Sequence, residues 1–200
     1  MARLVFLPGT SGRGRDFWAP VASELPDHDH VFVDYPGLGG TPSSIDVDSY
    51  DDLVDMVIGV LGDVPSVLVA QSMGGYVAVQ VALRASALVA QLVLAATSGG
   101  VDARRLGVAD WRPGSRAAHP DAPAWVYAPA ADLSSRLGEI RQPTLLVWAT
   151  DDAISPRAVG AELQRLLPRA RLVTYGCDDH WVAHLHAAEV AREIEALLSE

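Results

Sequence analysis

The stretch that decides the fold is Ser66-Val67-Leu68-Val69-Ala70-Gln71-Ser72-Met73-Gly74-Gly75-Tyr76. It opens with an apolar, Val-rich run typical of a buried strand, and a helical pattern follows at once. Ser72 therefore stands on a tight strand-to-helix turn. Ala70 and Gly74, two positions to either side, are small enough to let the helix pass close to the strand. The stretch predicts a serine in a strained backbone conformation, although a serine that simply caps a helix gives the same local pattern.

Five further apolar runs alternate with segments of helical period along the chain. The predicted strands are 3–7, 31–35, 66–70, 91–95, 144–148 and 171–175, and the predicted helices are 16–25, 50–61, 73–85, 156–167 and 183–198. Repeated strand-helix units build a parallel sheet with helices on both faces. We therefore expect an α/β fold, a three-layer sandwich with a predominantly parallel sheet of about six strands.

The segment 97–142 interrupts this alternation. It is rich in Pro and Gly and contains the large aromatic residues Trp111, Trp125 and Tyr127. A segment of this length without clear structure is usually a functional lid or disordered, and the aromatic residues favour a lid. We expect a single domain over 1–200 with a short lid at 97–142.

The composition excludes several kinds of site. The 200 residues include no Lys, no Asn and a single Cys, Cys177. A Walker-A lysine, a lysine Schiff base, an N-glycosylation acceptor, an internal disulfide and a multi-cysteine zinc site are therefore impossible. The triplet Gly12-Arg13-Gly14 lacks the third glycine of a dinucleotide-binding motif, so we expect no cofactor.

The charge and the apolar runs limit the partners. The formal net charge of −10 repels phosphate backbones and anionic lipid surfaces, so we expect neither nucleic acid nor a membrane as partner. The N-terminal apolar run stops at Pro8, too early for a signal peptide, and no later run approaches the roughly 18 residues that span a bilayer. We expect a cytoplasmic protein with a small-molecule substrate.

Two further strand ends carry groups that could activate a serine. Asp151 and Asp152 follow the fifth predicted strand, and His180 follows the sixth. Because parallel strands end at one edge of a sheet, these side chains are expected near Ser72. A serine hydroxyl is a weak nucleophile that needs a base, itself oriented by a third group. The pattern predicts a Ser-His-Asp arrangement in the chain order Ser, Asp, His.

These motifs resemble the α/β-hydrolase fold family over nearly the whole chain. The matching segments are Ala70-Gln71-Ser72-Met73-Gly74-Gly75, Asp34-Tyr35-Pro36-Gly37-Leu38-Gly39-Gly40-Thr41, Ala149-Thr150-Asp151-Asp152-Ala153-Ile154-Ser155-Pro156, and His180-Trp181 followed by Val190 and Ile194. The resemblance implies Asp152 rather than Asp151 as the acid. It likewise implies His180, and not His184 or His186, as the base.

The resemblance implies a serine hydrolase that cleaves an ester, thioester or lactone through an acyl-enzyme on Ser72. The family places the oxyanion hole on two backbone N–H groups, here those of Thr10 and Met73. The chain departs from the family at Pro8, where a His usually precedes Gly9. Most members also begin with two antiparallel strands that this sequence lacks, so we expect a trimmed sheet.

The pocket prediction rests on aromatic residues. Trp111, Trp125, Tyr127 and Trp181 suit a small, mostly apolar or aromatic substrate. The lid also holds six arginines against five acidic residues, so one arginine could clamp a substrate carboxylate or phosphate, or all could be solvated or ion-paired. These arginines are Arg104, Arg105, Arg112, Arg116, Arg136 and Arg141.

Three alternatives are open at the level of sequence. A cofactor-free lyase or carbon–carbon hydrolase would use the same triad, although menaquinone-pathway lyases commonly have Arg where this chain has Tyr76. A non-catalytic, ligand-binding pseudoenzyme is the second. The third is a metal cluster formed by His180, His184 and His186 with Asp178 and Asp179. No His-Glu-x-x-His motif and no calcium-type spacing of oxygen ligands is present, so we expect no metal.

Overall fold

A sheet of six parallel strands forms the centre of the molecule. The computed structural model describes all 200 residues. The strands are β1 (Arg3–Leu7), β2 (Asp29–Phe32), β3 (Ser66–Gln71), β4 (Val89–Ala95), β5 (Thr144–Ala149) and β6 (Ala170–Tyr175). They lie in the order β2-β1-β3-β4-β5-β6, and every neighbouring pair is parallel.

Helices cover both faces of the sheet. They are α1 (Gly14–Ser23), α2 (Tyr50–Leu61), α3 (Met73–Arg84), α4 (Arg112–Ala118), α5 (Arg157–Leu166), α6 (Val182–Leu185) and α7 (Ala187–Leu198). Side chains of α2, α3 and α5 pack in the core on one face, and those of α1, α6 and α7 pack on the other. The predicted three-layer α/β sandwich is confirmed. None of the helices combines the length and the apolar character needed to cross a membrane.

Alternation along the strands explains the two cores. Val5 and Leu7 of β1 face the α2–α3–α5 core, whereas Leu4 and Phe6 face the other core. Successive side chains on a strand point to opposite faces, so a strand covered on both sides must be apolar throughout. This is why the sequence shows continuous Val and Leu runs.

Two element predictions were wrong in detail. The second strand is Asp29–Phe32 rather than 31–35, because the chain after Phe32 turns toward the loop that follows β1. There the Asp34 carboxylate accepts from the Gly14 N–H at 3.0 Å, and the Tyr35 N–H donates to the Gly12 carbonyl at 2.7 Å. The predicted helix 183–198 is broken at His186, which leaves the helical conformation (φ −106°, ψ 40°) and stacks its ring on Tyr175.

The lid segment 97–142 is more structured than its composition predicts. It contains α4 and three 3-10 turns, at Ala103–Leu106, Ala124–Tyr127 and Leu137–Glu139. No residue of α4 is buried, whereas Trp125, Val126 and Tyr127 are. The lid is therefore anchored through its second half. The division into one domain with a lid at 97–142 stays a prediction.

Candidate active site

Ser72 lies on a strained turn between β3 and α3. Its backbone angles are φ 52° and ψ −120°, in a region that side-chain-bearing residues rarely adopt and that costs about 1–3 kcal/mol. The Ser72 N–H donates to the Ala95 carbonyl at 3.0 Å, and the Ser72 carbonyl accepts from Thr97 Oγ1 at 2.5 Å. The end of β4 thus holds this turn in place.

Glycines let neighbouring segments close on Ser72. A Cβ at Gly74 would lie 2.4 Å from the Pro8 carbonyl oxygen, and one at Gly75 would lie 2.5 Å from the Thr97 side chain. A Cβ at Gly9 would lie 3.0 Å from the Ser72 Cβ. Distances this short require the absence of a side chain. The loop after β1 consequently packs directly against the serine.

His180 connects Ser72 to Asp152. His180 Nε2 lies 3.0 Å from Ser72 Oγ, and His180 Nδ1 lies 2.7 Å from Asp152 Oδ2. The three residues follow β3, β5 and β6, so the strand ends bring them to one edge of the sheet. The hydroxyl, the imidazole and the carboxylate therefore have the spacing needed to transfer the serine proton to the histidine.

The surroundings of Asp152 keep its carboxylate ionised. Burial raises its pKa, but the hydrogen bond and charge of His180, with the N–H groups of Ser155 and Ile154, outweigh burial and lower the pKa below the usual value. Those amides donate to Asp152 Oδ1 at 3.0 and 2.7 Å. Oδ1 of Asp152 thus accepts hydrogen bonds from the loop amides, and Oδ2 binds the imidazole of His180. Asp151 is exposed and bonds to the Thr150 hydroxyl instead.

The backbone N–H groups of Thr10 and Met73 are the candidates for an oxyanion hole. Met73 is the first residue of α3, so its N–H has no intrahelical acceptor and lies at the positive end of the helix dipole. The Thr10 N–H donates to no protein acceptor. Substitution of the usual His by Pro8 leaves this amide in place, because the donor is backbone. The oxyanion role of both residues stays a prediction.

A groove of about 480 Å³ opens beside Thr10. Its walls are the loop after β1, the loop Gly37–Thr41 and the lid residues Ala118–Ala122. A second cavity of about 690 Å³, lined by Arg3, Pro65 and Pro143 among others, lies at the opposite, amino edge of the sheet. Substrates reach carboxyl edges in folds of this kind, so the groove beside Thr10 is the candidate approach to Ser72.

None of the four aromatic pocket candidates is among the residues that line this groove. Trp125 and Tyr127 are buried, and Trp111 packs against Tyr127 with ring centroids 6.2 Å apart. Trp181 is 43% exposed and packs edge-on against Phe17. Their assignment to a substrate pocket therefore stays a prediction.

The remaining histidines and the cysteine have other contacts. His184 Nδ1 lies 2.9 Å from the Phe17 carbonyl, and His186 stacks on Tyr175. Cys177 is half-buried and packs against the core on the α1–α6–α7 face. No group of three or more His, Cys, Asp or Glu side chains has the arrangement of a metal site.

Sequence reasoning overlooked two contributors to the site. Thr97 bonds to the Ser72 carbonyl, and Leu38 lines the groove while packing in the core. Thr97 had a usable signal, because it follows the carboxyl end of β4 as Ser72 follows β3. Leu38 had none, since its position depends on the path of a loop.

Comparison with known proteins shows the family and the fold. The model of the Alpha/beta hydrolase family matches residues 4–193. The chain belongs to this family. The hydrolase chain also superposes on a thermophilic esterase from Thermogutta terrifontis with a TM-score of 0.81, covering 100% of this chain and 90% of that one at 23% identity. That likeness shows the fold.

Two curated relatives indicate the range of activities among similar proteins. The hydrolase is 38% identical over 63 residues to a 2-hydroxy-6-oxononadienedioate/2-hydroxy-6-oxononatrienedioate hydrolase of Cupriavidus pinatubonensis. These residues make up 32% of this chain but only 22% of that relative's length. It is 28% identical over 190 residues to a pimeloyl-[acyl-carrier protein] methyl ester esterase of Nitrosomonas europaea, covering 72% of this chain and 74% of that protein.

Proposed function

We propose that this alpha/beta hydrolase cleaves an ester, thioester or lactone of a small substrate through an acyl-enzyme on Ser72. The observation that carries the proposal is His180, which lies within hydrogen-bonding distance of both Ser72 and Asp152. The similarity to a named methyl ester esterase over 72% of the chain supports the same bond type.

Acylation begins at the serine hydroxyl. Ser72 Oγ attacks the substrate carbonyl carbon while His180 Nε2 takes the hydroxyl proton, and Asp152 stabilises the imidazolium. The carbonyl oxygen becomes an oxyanion that accepts hydrogen bonds from the Thr10 and Met73 amides. The tetrahedral intermediate then collapses, the bond to the leaving oxygen or sulfur breaks, and His180 returns the proton to the leaving group.

Deacylation repeats these steps with water. His180 Nε2 takes a proton from a water molecule, whose oxygen attacks the acyl carbon. The second tetrahedral intermediate releases the carboxylic acid, and the proton returns to Ser72 Oγ. The same two amides and the same His180–Asp152 pair serve both halves, so no cofactor enters the scheme.

Carbon–carbon bond hydrolysis on the same triad is the second candidate. It is favoured by the 38% identity over 63 residues to a protein named for hydrolysis of 2-hydroxy-6-oxononadienedioate, a substrate name that contains no ester. Comparison of the products formed from an ester and from a vinylogous diketone distinguishes the two reactions.

The proposed partner is a small molecule, mostly apolar or aromatic. The net charge of −10 argues against nucleic acid and anionic membranes as partners. A cytoplasmic location stays a prediction from the same composition.

Rapid mixing with p-nitrophenyl butyrate tests the proposed reaction. Nitrophenolate is a good leaving group, so acylation should be faster than deacylation and the acyl-enzyme should accumulate. We therefore expect a burst of about one equivalent of nitrophenol followed by steady release. Intact-protein mass spectrometry of the acid-quenched burst should show the added butyryl group.

Absence of nitrophenol release above the buffer rate would contradict ester hydrolysis. If a vinylogous diketone were cleaved under the same conditions, the second candidate would replace the first. If neither compound reacted, the pseudoenzyme alternative would be favoured.

A further inference from the structure

Three buried hydrogen-bond donors, two of them within the segment 97–142, have no partner. Tyr35 Oη, Arg112 Nε and Trp125 Nε1 are all buried and form no hydrogen bond. One other side chain, His30 on β2, shares this property, and it packs elsewhere against Phe6. Buried polar groups are nearly always hydrogen-bonded, so three unpaired donors in one region require an explanation. We call Tyr35, Arg112 and Trp125 the donor cluster.

Tyr50 of α2 joins the members of the donor cluster. Its ring centroid lies 5.6 Å from that of Trp125, and its hydroxyl donates to the Val126 carbonyl at 2.9 Å. Burial raises the pKa of the Tyr35 hydroxyl, and the neighbouring Tyr50 phenol raises it further, so these two groups lie close together. Burial raises the pKa of Tyr50 to about 12, and the nearby Arg112 guanidinium opposes that rise. The three donors therefore surround one phenol.

The donor cluster lies close to Ser72. Tyr50 packs edge-on against Tyr76, with ring centroids 5.3 Å apart. Tyr76 is four residues after Ser72, which is roughly 6 Å along the axis of α3. Tyr76 and Tyr50 thus connect Ser72 to the donor cluster, which lies about two side chains beyond the reacting serine, within reach of the far end of a substrate.

The chemistry of the donor cluster favours an anionic oxygen ligand. A guanidinium Nε–H and an indole N–H can only donate, and a buried phenol can donate as well. The Arg112 guanidinium pairs with Asp110 through Nη1 at 3.0 Å and lies over the ring of Trp111, while its Nε has no partner. A planar carboxylate accepts from several such donors at once.

Other lid arginines do not share this arrangement. Arg104, Arg105 and Arg136 each direct Nε at a carboxylate, whereas Arg112 pairs with Asp110 through Nη1. Arg116 stacks over the ring of Tyr127. Arg112 is the lid arginine whose Nε is both buried and unpaired. Of the six arginines that the sequence offered as possible clamps for a substrate anion, the structure therefore favours Arg112.

We propose that the donor cluster of Tyr35, Arg112 and Trp125 binds a carboxylate carried by the substrate at the end remote from the scissile bond. The inference rests on the proposed hydrolysis at Ser72. The preferred substrate class is then a monoester of a short dicarboxylic acid, with the free carboxylate beneath the lid.

The groove and the donor cluster share packing neighbours. Leu38 and Ala122 line the groove and also pack against the core that contains Tyr35 and Trp125. The adjacent helix α4 buries none of its residues, so a small shift of this part of the lid breaks few apolar contacts. The carboxylate would enter by this route.

Matched esters test the proposal. We compare p-nitrophenyl monoesters of dicarboxylic acids of four to eight carbons with p-nitrophenyl esters of unbranched monocarboxylic acids of equal length. The ratio of kcat/KM for the two members of each pair measures recognition of the terminal carboxylate. We expect a ratio of about ten or more at the best length, since hydrogen bonds to a charged group contribute this much.

The double variant Tyr35→Phe/Trp125→Phe should reduce this ratio toward one, chiefly through KM, because it removes two donors and keeps an aromatic ring at each position. Tyr35→Phe alone should not lower the melting temperature, because the deleted hydroxyl has no partner in the free protein. Trp125→Phe leaves a cavity where the larger indole is buried, so the double variant should melt at a lower temperature. Tyr175→Phe and Arg116→Gln, which alter a tyrosine and a lid arginine outside the cluster, should keep the ratio of the unmodified protein.

An unchanged ratio in the double variant, or equal rates for both esters in the unmodified protein, would overturn the proposal while leaving ester hydrolysis intact. A binding measurement covers the case in which neither ester turns over. Calorimetric titration of Ser72→Ala protein with methyl hydrogen adipate and with methyl hexanoate should show tighter binding of the charged ester, and equal binding would overturn the proposal.

Discussion

Replacing Ser72 by alanine should lower kcat on p-nitrophenyl butyrate by roughly 10⁴-fold or more. The variant keeps the two amides of the proposed oxyanion hole and the His180–Asp152 pair, but it has no atom to form the acyl-enzyme. The residual rate then reflects only binding and polarisation of the ester. Steady-state kinetics on purified protein measure the effect, and circular dichroism verifies the fold.

Ser23→Ala is the control for this prediction. Ser23 is exposed at the end of α1, where its hydroxyl bonds to the Pro20 carbonyl. This variant should retain the activity of the unmodified protein. Retention of full esterase activity by Ser72→Ala would show that another group attacks the ester.

Replacing Asp152 by asparagine should lower kcat by about 10⁴-fold, because an amide next to His180 Nδ1 favours the wrong imidazole tautomer and cannot stabilise the imidazolium. The shape of the side chain is preserved. The same p-nitrophenyl ester assay measures the loss, and the melting temperature reports any effect on the loop that Asp152 holds through Ile154 and Ser155.

Asp151→Asn provides a matched control one residue away. Asp151 is exposed and lies against Thr150 rather than the imidazole. Its replacement should leave kcat within about twofold, as expected for a surface side chain. Equal losses in the two variants would contradict the assignment of Asp152.

The fold could be predicted largely because its signals are local. The strand–turn–helix pattern around Ser72 depends on a few successive residues, and Tyr50–Leu61 forms a helix with the predicted bounds. Its Ser49 cap is visible in the sequence, and the Ser49 hydroxyl accepts from the Asp52 N–H. The break at His186 depends instead on stacking against Tyr175, a contact between segments that no local pattern encodes.

The relative placement of Ser72, Asp152 and His180 follows from topology. Residues after parallel strands meet at one edge, so their proximity was predictable. The choice between Asp151 and Asp152 came from a family resemblance, and its physical basis is the turn in which the Ile154 and Ser155 amides bind the Asp152 carboxylate.

The donor cluster was not predictable from the sequence. Tyr35, Arg112 and Trp125 come from a loop after β2 and from two parts of the lid. Their common feature is the lack of a hydrogen-bond partner, which is a property of packing. Composition identified the lid aromatics and arginines but not which of them point inward.

The central claim, that His180 activates Ser72 as a nucleophile, is tested most directly by a fluorophosphonate probe and peptide mass spectrometry. We predict stoichiometric labelling at Ser72, abolished in His180→Ala and retained in His186→Ala, whose histidine stacks on Tyr175 away from the serine. Labelling at another residue, or undiminished labelling of Ser72 in His180→Ala, would contradict the account.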